Sequence, residues 1–255
     1  MIYLTGDTHG DFARISSFCH RFETTKDDLM IVLGDNGVNY WGGKRDKALK
    51  KKLQELPITF MMIRGNHDQR PSKKLYQDEY ISGGSRNAQW RGNFLVEPDF
   101  PSLLFAKDGW YYHLAGHDAL VIGGAYSVDK YYRLEQQEAG HTGYRWFYDE
   151  QLTPTERDVI LTELSHWVRR KLGPDLILSH TCPYQYVPRE MFLGMIDQST
   201  VDDSMEHWLD QINAILHKGS KWYCGHWHTN KKVDHMHFLY EDIIDLKPHD
   251  ERKYK

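Results

Sequence analysis

Cysteine is scarce in this chain. Only Cys19, Cys182 and Cys224 occur among 255 residues, an odd number with no C-x-x-C spacing. That excludes a disulfide framework and a thiolate zinc site, and it fits a reducing compartment. No apolar run approaches the roughly 20 residues that span a bilayer. The opening stretch MIYLTGDTHG lacks the basic and apolar regions of a signal peptide. A cytoplasmic protein with no membrane partner is expected. Excess charge is missing too. The formal net charge is −4, which gives no global attraction to nucleic acid or an anionic surface and leaves only a local basic groove open. Repeats, low-complexity tracts and Gly/Ser/Pro-rich linkers are absent, so residues 1–255 are expected to form one α/β domain rather than two.

What is present is an ordinary hydrophobic content, 40%, with an unusual 15 histidines. The first third alternates strand and helix patterns. MIYLTG, LMIVLG and ITFMMIRG are short apolar strands. Between them, DFARISSFCHRF places Phe12, Ile15, Phe18, Cys19 and Phe22 on one helical face, and RDKALKKKLQEL is a basic amphipathic helix. This alternation predicts a parallel sheet with helical crossovers. The middle, SLLFAKDGWYYHLAGHDALVIGGAYS, reads as an antiparallel meander. An aromatic and charged insertion then runs from Val128 to Gln151. Thr153, Pro154 and Glu156 form a capping box opening a helix. DLILSH, KWYCGHWH and HMHFLYEDII are further strands, and SMEHWLDQINAILHK is a further helix.

The strand ends carry the chemistry. Asp7 and His9 follow the first strand, Asp35 the second, and Asn66, His67 and Asp68 the third; His180, then His226 and His228, end later strands. One such acid is usually a turn former or helix cap. Five strands delivering only Asp, Asn and His to the carboxyl edge of an α/β sheet are not, because that edge is where ligands bind. Hard and borderline divalent metals prefer such N/O donor sets. The i, i+2 spacing of Asp7/His9 and of His226/His228 puts both side chains on one side of an extended segment.

Taken in order, the blocks GDTHG, LGDN, RGNHD, LSH and CGHWH resemble the calcineurin-like metallophosphoesterases, from Asp7 to His228. The resemblance implies two mixed β-sheets packed as a sandwich and flanked by helices. It implies that Asp7, His9 and His228 hold one metal ion, that Asn66, His180 and His226 hold another, and that Asp35 bridges them. The cofactors implied are two divalent ions, with manganese expected and iron, nickel or zinc as alternatives. The activity implied is hydrolysis of a phosphomonoester or phosphodiester by a metal-bridging hydroxide, with His67 as general acid. The first alternative is a nucleotide phosphodiesterase or nuclease. The other is a non-catalytic interaction module of the same fold, which the full ligand set argues against.

One block departs from the phosphoprotein phosphatases of that superfamily, which extend it to G-D-x-x-D-R-G; here Val38 and Asn39 replace the second Asp and the Arg. A small molecule or nucleotide is therefore expected as substrate ahead of a phosphoprotein. Arg64, Asn36 and, within the insertion, Arg133 are the candidate substrate contacts. The insertion is read as the source of substrate choice or as a packed cap, and the proline-broken loop HTCPYQYVPREMF as the opposite wall. Asp68 is read as a plain turn residue, and His113, His117 and His166 as structural.

Overall fold

The computed structural model describes residues 1–84 and 89–249. Three short parallel strands, β1 (Ile2–Thr5), β2 (Leu29–Val32) and β3 (Thr59–Met62), are joined by helices α1 (Ala13–Phe22) and α2 (Gly43–Glu55). The hairpin of β4 (Gln77–Gly83) and β5 (Trp90–Val96) follows, then β6 (Leu103–Phe105), which lies parallel to β3. The meander supplies β7 (Tyr111–Leu114) and β8 (His117–Ile122) as an antiparallel pair. After them come α3 (Lys130–Glu138), α4 (Pro154–Arg169), β9 (Leu176–Ser179), three 3-10 turns between 184 and 200, and α5 (Ser204–Ile215). Strands β10 (Lys221–Cys224), β11 (Lys231–Val233), β12 (Met236–Phe238) and β13 (Ile244–Asp245) end the described chain.

All described strands belong to one curled mixed sheet in the order β11-β12-β10-β9-β8-β7-β5-β6-β3-β2-β1-β13, with β4 paired to β5. The expectation of two separate sheets is corrected here. Strand β5 pairs with β6 through Leu95 and Val96 and with β7 through Trp90 and Arg91, so a single strand joins both halves into one ladder.

Each half is buried on both faces, which explains why its strands read as continuous apolar runs. Alternation sorts the faces. Leu29 and Ile31 of β2 point into the same core as Leu176 and Leu178 of β9. Met30 and Val32 point the other way, under α1, with Ile15 and Cys19. On the far face of the other half, Ile177 and Trp222 pack against Leu164 of α4 and Leu209 and Ile212 of α5. The Thr153 hydroxyl and the Glu156 carboxylate close the capping box of α4 as the sequence predicts. This arrangement aims the carboxyl ends of β1, β2, β3, β8, β9 and β10 at one region. No helix among the described residues is long and apolar enough to cross a membrane.

Candidate metal centre

Two buried carboxylates organise this region. Asp35 accepts the His67 backbone N–H at 2.8 Å, and Asp7 accepts that of His226 at 2.9 Å. The turns that hold them are strained. His9, Asp35, His226 and His228 adopt φ of 46°, 43°, 65° and 47°, a left-handed conformation that costs a non-glycine residue about 1–2 kcal/mol. Such strain collects where a side chain must be aimed rather than packed. Close approach matters as well: a Cβ at Gly65 would stand 2.0 Å from Asp35 Oδ1, and one at Gly34 would stand 2.1 Å from His180 Nδ1. Only glycine lets these strand ends meet.

The side chains converge in two groups around Asp35. In the first, His9 Nε2 and His228 Nε2 face each other at 3.0 Å, and Asp7 Oδ2 lies 3.8 Å and 3.3 Å from them. Asp7 Oδ2 is buried and has no hydrogen-bond partner. In the second, His180 is fully buried and its Nδ1 donates to the Leu33 carbonyl at 2.8 Å. Its Nε2 stands 2.8 Å from Asn66 Oδ1 and 3.5 Å from Asp35 Oδ1. The Asn66 orientation is held by a relay in which its Nδ2 donates to Ser127 Oγ and that hydroxyl donates to Glu150 Oε2 at 2.5 Å. A buried carboxylate oxygen without a partner, ringed by imidazoles, is a place that a cation would satisfy. A set of carboxylate, amide oxygen and imidazoles suits a divalent metal.

The electrostatics agree. Burial alone would raise the pKa of Asp35, but His67, His180 and His9 outweigh it and hold the carboxyl below its ordinary value. For Asp7, burial is likewise outweighed, by His228, His180 and His9. Burial and the neighbouring His180 pull His226 down to about 3, which keeps it neutral and able to donate a lone pair. His67 Nε2 lies 3.9 Å from Asp35 Oδ2 and 3.2 Å from Arg133 Nη2. Burial lowers the His67 pKa and Arg133 adds to this, against the pull of Asp35.

Arg133 thus reaches the centre from α3. Asp129 holds its Nε, and the Tyr40 hydroxyl accepts from its Nη1 at 2.8 Å. The other two residues expected to touch substrate do not reach it. Arg64 is buried, with its guanidinium engaged by Asp108 Oδ2 and by the carbonyls of Gly123, Asp149 and Glu150. A strand-end Arg has many carbonyls within reach, and here they complete its donor set inside the protein. Asn36 is turned inward: its Nδ2 donates to Asp68 at 2.8 Å and its Oδ1 accepts from Val38 N–H.

Asp68 is more than a turn residue. It accepts from the backbone of Asn36, Gly37 and Gly65 as well as from the Asn36 amide, stitching the loop after β2 to the loop after β3. Burial and the Asp35 charge raise it to about 7. Neither it nor the Ser127–Glu150 relay was legible in the strand-end motifs. Val38 fills core beside Phe60, and the Asn39 amide oxygen accepts from the buried Tyr76 hydroxyl. Both positions therefore face the interior.

A cavity of about 410 Å³ opens beside the cluster, lined by His9, Asp35, Asn66, His67, His226 and His228 at one end. The loop after His180 forms its other wall, as the sequence suggests. The insertion divides between the two roles considered for it: Phe147 is buried, whereas Tyr131, Tyr132, Tyr144 and Tyr148 are exposed. A further His/carboxylate group, His117, Asp175 and His249, lies at the opposite ends of β8 and β9. Residues 1–230 match the family model described as calcineurin-like phosphoesterase. No curated protein matches the chain.

Proposed function

Because the chain belongs to the calcineurin-like phosphoesterase family, we propose that it hydrolyses phosphate esters at a centre of two divalent ions. Asp7, His9 and His228 hold one ion; Asn66, His180 and His226 hold the other; Asp35, between the groups, serves both. The observation that carries this reading is the buried, unpartnered Asp7 Oδ2, with His9 and His228 on one side of Asp7 and Asp35 and His180 on the other. When bound, the ions supply an activated water and polarise the phosphoryl oxygens.

The chain's own residues do the rest. Asp7 and Asp35 are held anionic before any metal arrives, so the donor set is ready at neutral pH. His67 Nε2 accepts from Arg133 in the free site; a phosphoryl oxygen entering between them takes over the guanidinium hydrogen bond. His67 Nε2, released from Arg133 and 3.9 Å from the Asp35 carboxylate, would then take up a proton from solvent and pass it to the leaving oxygen. The carboxylate absent at Val38 is replaced by a contact of opposite charge: Arg133, supplied by the insertion, positions His67 while lowering its pKa. Manganese is the metal we assign, with iron, nickel or zinc as alternatives for the same N/O donors. A small ester is favoured over nucleic acid, since Asp129, Asp202 and Asp203 line the approach.

The test is chelation followed by metal add-back, assayed with p-nitrophenyl phosphate and its bis-ester. Turnover should vanish and return with manganese. His67→Ala should keep its metal and lose about 10²–10⁴-fold in rate. Chelator-insensitive turnover, or full activity of the His67 variant, would sink the assignment. Metal binding without turnover of either ester would favour the interaction module, and turnover of the bis-ester alone would make the protein a phosphodiesterase.

A further inference from the structure

The cavity that adjoins the metal cluster is built differently from the cluster itself. Beyond the histidines its lining is mainly apolar, with Tyr126, Val187, Phe192, Leu193, Ile196 and Val201 the larger contributors. We propose that this space receives the ester group of the substrate and that the group is an apolar organic chain or ring. The proposal rests on the phosphoesterase reading above.

Continuity is the first argument. His9, Asp35 and His226 line the same cavity as this apolar wall, and Phe192 stacks on Trp227 beside His226, so a phosphate ester held at the cluster has its organic part against the wall. Size is the second. About 410 Å³ is well beyond the roughly 150 Å³ that accommodates a single benzene ring, and it lies in the range of small-molecule sites.

Charge is the third. Arg189 is the one Lys or Arg among the described lining residues, and its guanidinium sits over the Tyr184 ring, 5.4 Å from the centroid. The lining acids outnumber it, which disfavours a leaving group that carries further phosphates. Glu206 is buried at the cavity with its Oε1 bonded to the Thr181 hydroxyl, and burial raises it to about 7, so it is only partly charged at neutral pH.

The wall is also preformed. Its loop is fixed at intervals: Tyr184 stacks on His207 at 3.9 Å, Glu190 pairs with Lys231, and Thr200 O accepts from the Tyr126 hydroxyl at 3.3 Å. Phe192 lies nearly parallel to Trp227, the residue between two of the metal-site histidines. Within this fixed frame Leu193 remains 57% exposed. Apolar surface held open beside a reaction centre gains from being covered by an apolar ligand.

The experiment uses the manganese-loaded protein and two homologous pairs: methyl- against n-hexylphosphonate for binding by calorimetry, and methyl against n-hexyl phosphate for kcat/KM. The alkoxides differ little as leaving groups, so chain length reports on the cavity. Each methylene buried is worth about fourfold. The hexyl compounds should therefore be favoured by between about tenfold and a thousandfold, with a negative heat-capacity change on binding. Leu193→Asp, at an exposed position that tolerates the change in folding, and Val201→Asp should each reduce that ratio by at least about tenfold. Equal affinities, or no binding of either phosphonate, overturns the proposal, as does a chain-length preference that survives both Asp variants. Tighter hexylphosphonate binding without turnover of either phosphate upholds the cavity and overturns the phosphoesterase reading instead.

Discussion

Two clusters of the same residue types stand at opposite ends of the parallel strands, and their polar atoms are paired differently. At the amino ends of β8 and β9, Asp175 Oδ2 meets His117 Nδ1 at 2.6 Å and His249 Nδ1 at 2.5 Å, while His117 Nε2 meets the Lys247 carbonyl at 3.0 Å. Both nitrogens of His117 face oxygen acceptors. The carboxyl ends of the strands differ. There the buried Asp7 Oδ2 has no hydrogen-bond partner and two imidazole nitrogens face one another. Composition does not separate a structural clasp from a ligand set. Whether each acceptor meets a donor does.

Removing one carboxylate from each cluster tests that contrast most severely. Asp35→Asn should abolish stoichiometric metal uptake and reduce kcat/KM by more than about a hundredfold, beyond what loss of an outer-shell partner costs. Asp175→Asn should leave metal content intact. Metal analysis of the two purified variants, alongside turnover, decides the matter; metal lost from the Asp175 variant would mean that the clasp is itself a ligand set.

A gentler perturbation acts on orientation alone. Ser127→Ala removes the hydroxyl that holds the Asn66 amide, and should weaken metal affinity about 10- to 100-fold in a chelator competition while circular dichroism stays unchanged. An unchanged affinity would show that Asn66 needs no such support.

The clasp should answer in stability rather than chemistry. Asp175→Asn should cost about 2 kcal/mol in urea unfolding, because it removes the carboxylate that meets both the buried His117 and His249. Burial opposes ionisation of Asp175, but His117 outweighs it and lowers the pKa. The contribution is therefore present above the ordinary carboxylate range and lost as pH falls through the lowered value.

Glu206 also acts on stability, with the opposite sign. Its pKa is raised from 4.5 to about 7 by burial. Below 4.5 both folded and unfolded states are protonated; between 4.5 and 7 the folded state alone keeps the proton. Stability should therefore fall as pH rises through that window, by up to about 3 kcal/mol. Glu206→Gln should flatten this part of the profile in denaturation curves taken at pH 5 and pH 8. An unchanged slope would show that Glu206 ionises freely in the fold.

Much of this was legible before any coordinates. The apolar runs located β1, β2, β3, β9 and β10, and the acid or histidine after each run located the seven residues that converge. The capping box at Thr153 located the start of α4. The hairpin of β4 and β5 was missed, although WRGNFLV alternates buried and exposed positions as a strand does. Arg64 shows the limit of reading position alone: it sits one residue before the strand-end block and still points away from the centre. Arg133 shows the opposite case, since a residue 66 positions from His67 ends 3.2 Å from it.

By itself, then, the sequence determined the donor types and the layout. Period-two burial and helical spacing are local properties, and N/O donors placed after successive apolar strands must collect at one sheet edge because parallel strands share a direction. Tertiary structure alone decided which polar atoms meet. That depends on contacts between residues far apart in the chain, and it separates the satisfied clasp at Asp175 from the unsatisfied cluster at Asp35. It also closes the sheet through β5, turns Arg64 inward, brings Arg133 to His67, and leaves an apolar space open beside the metal centre.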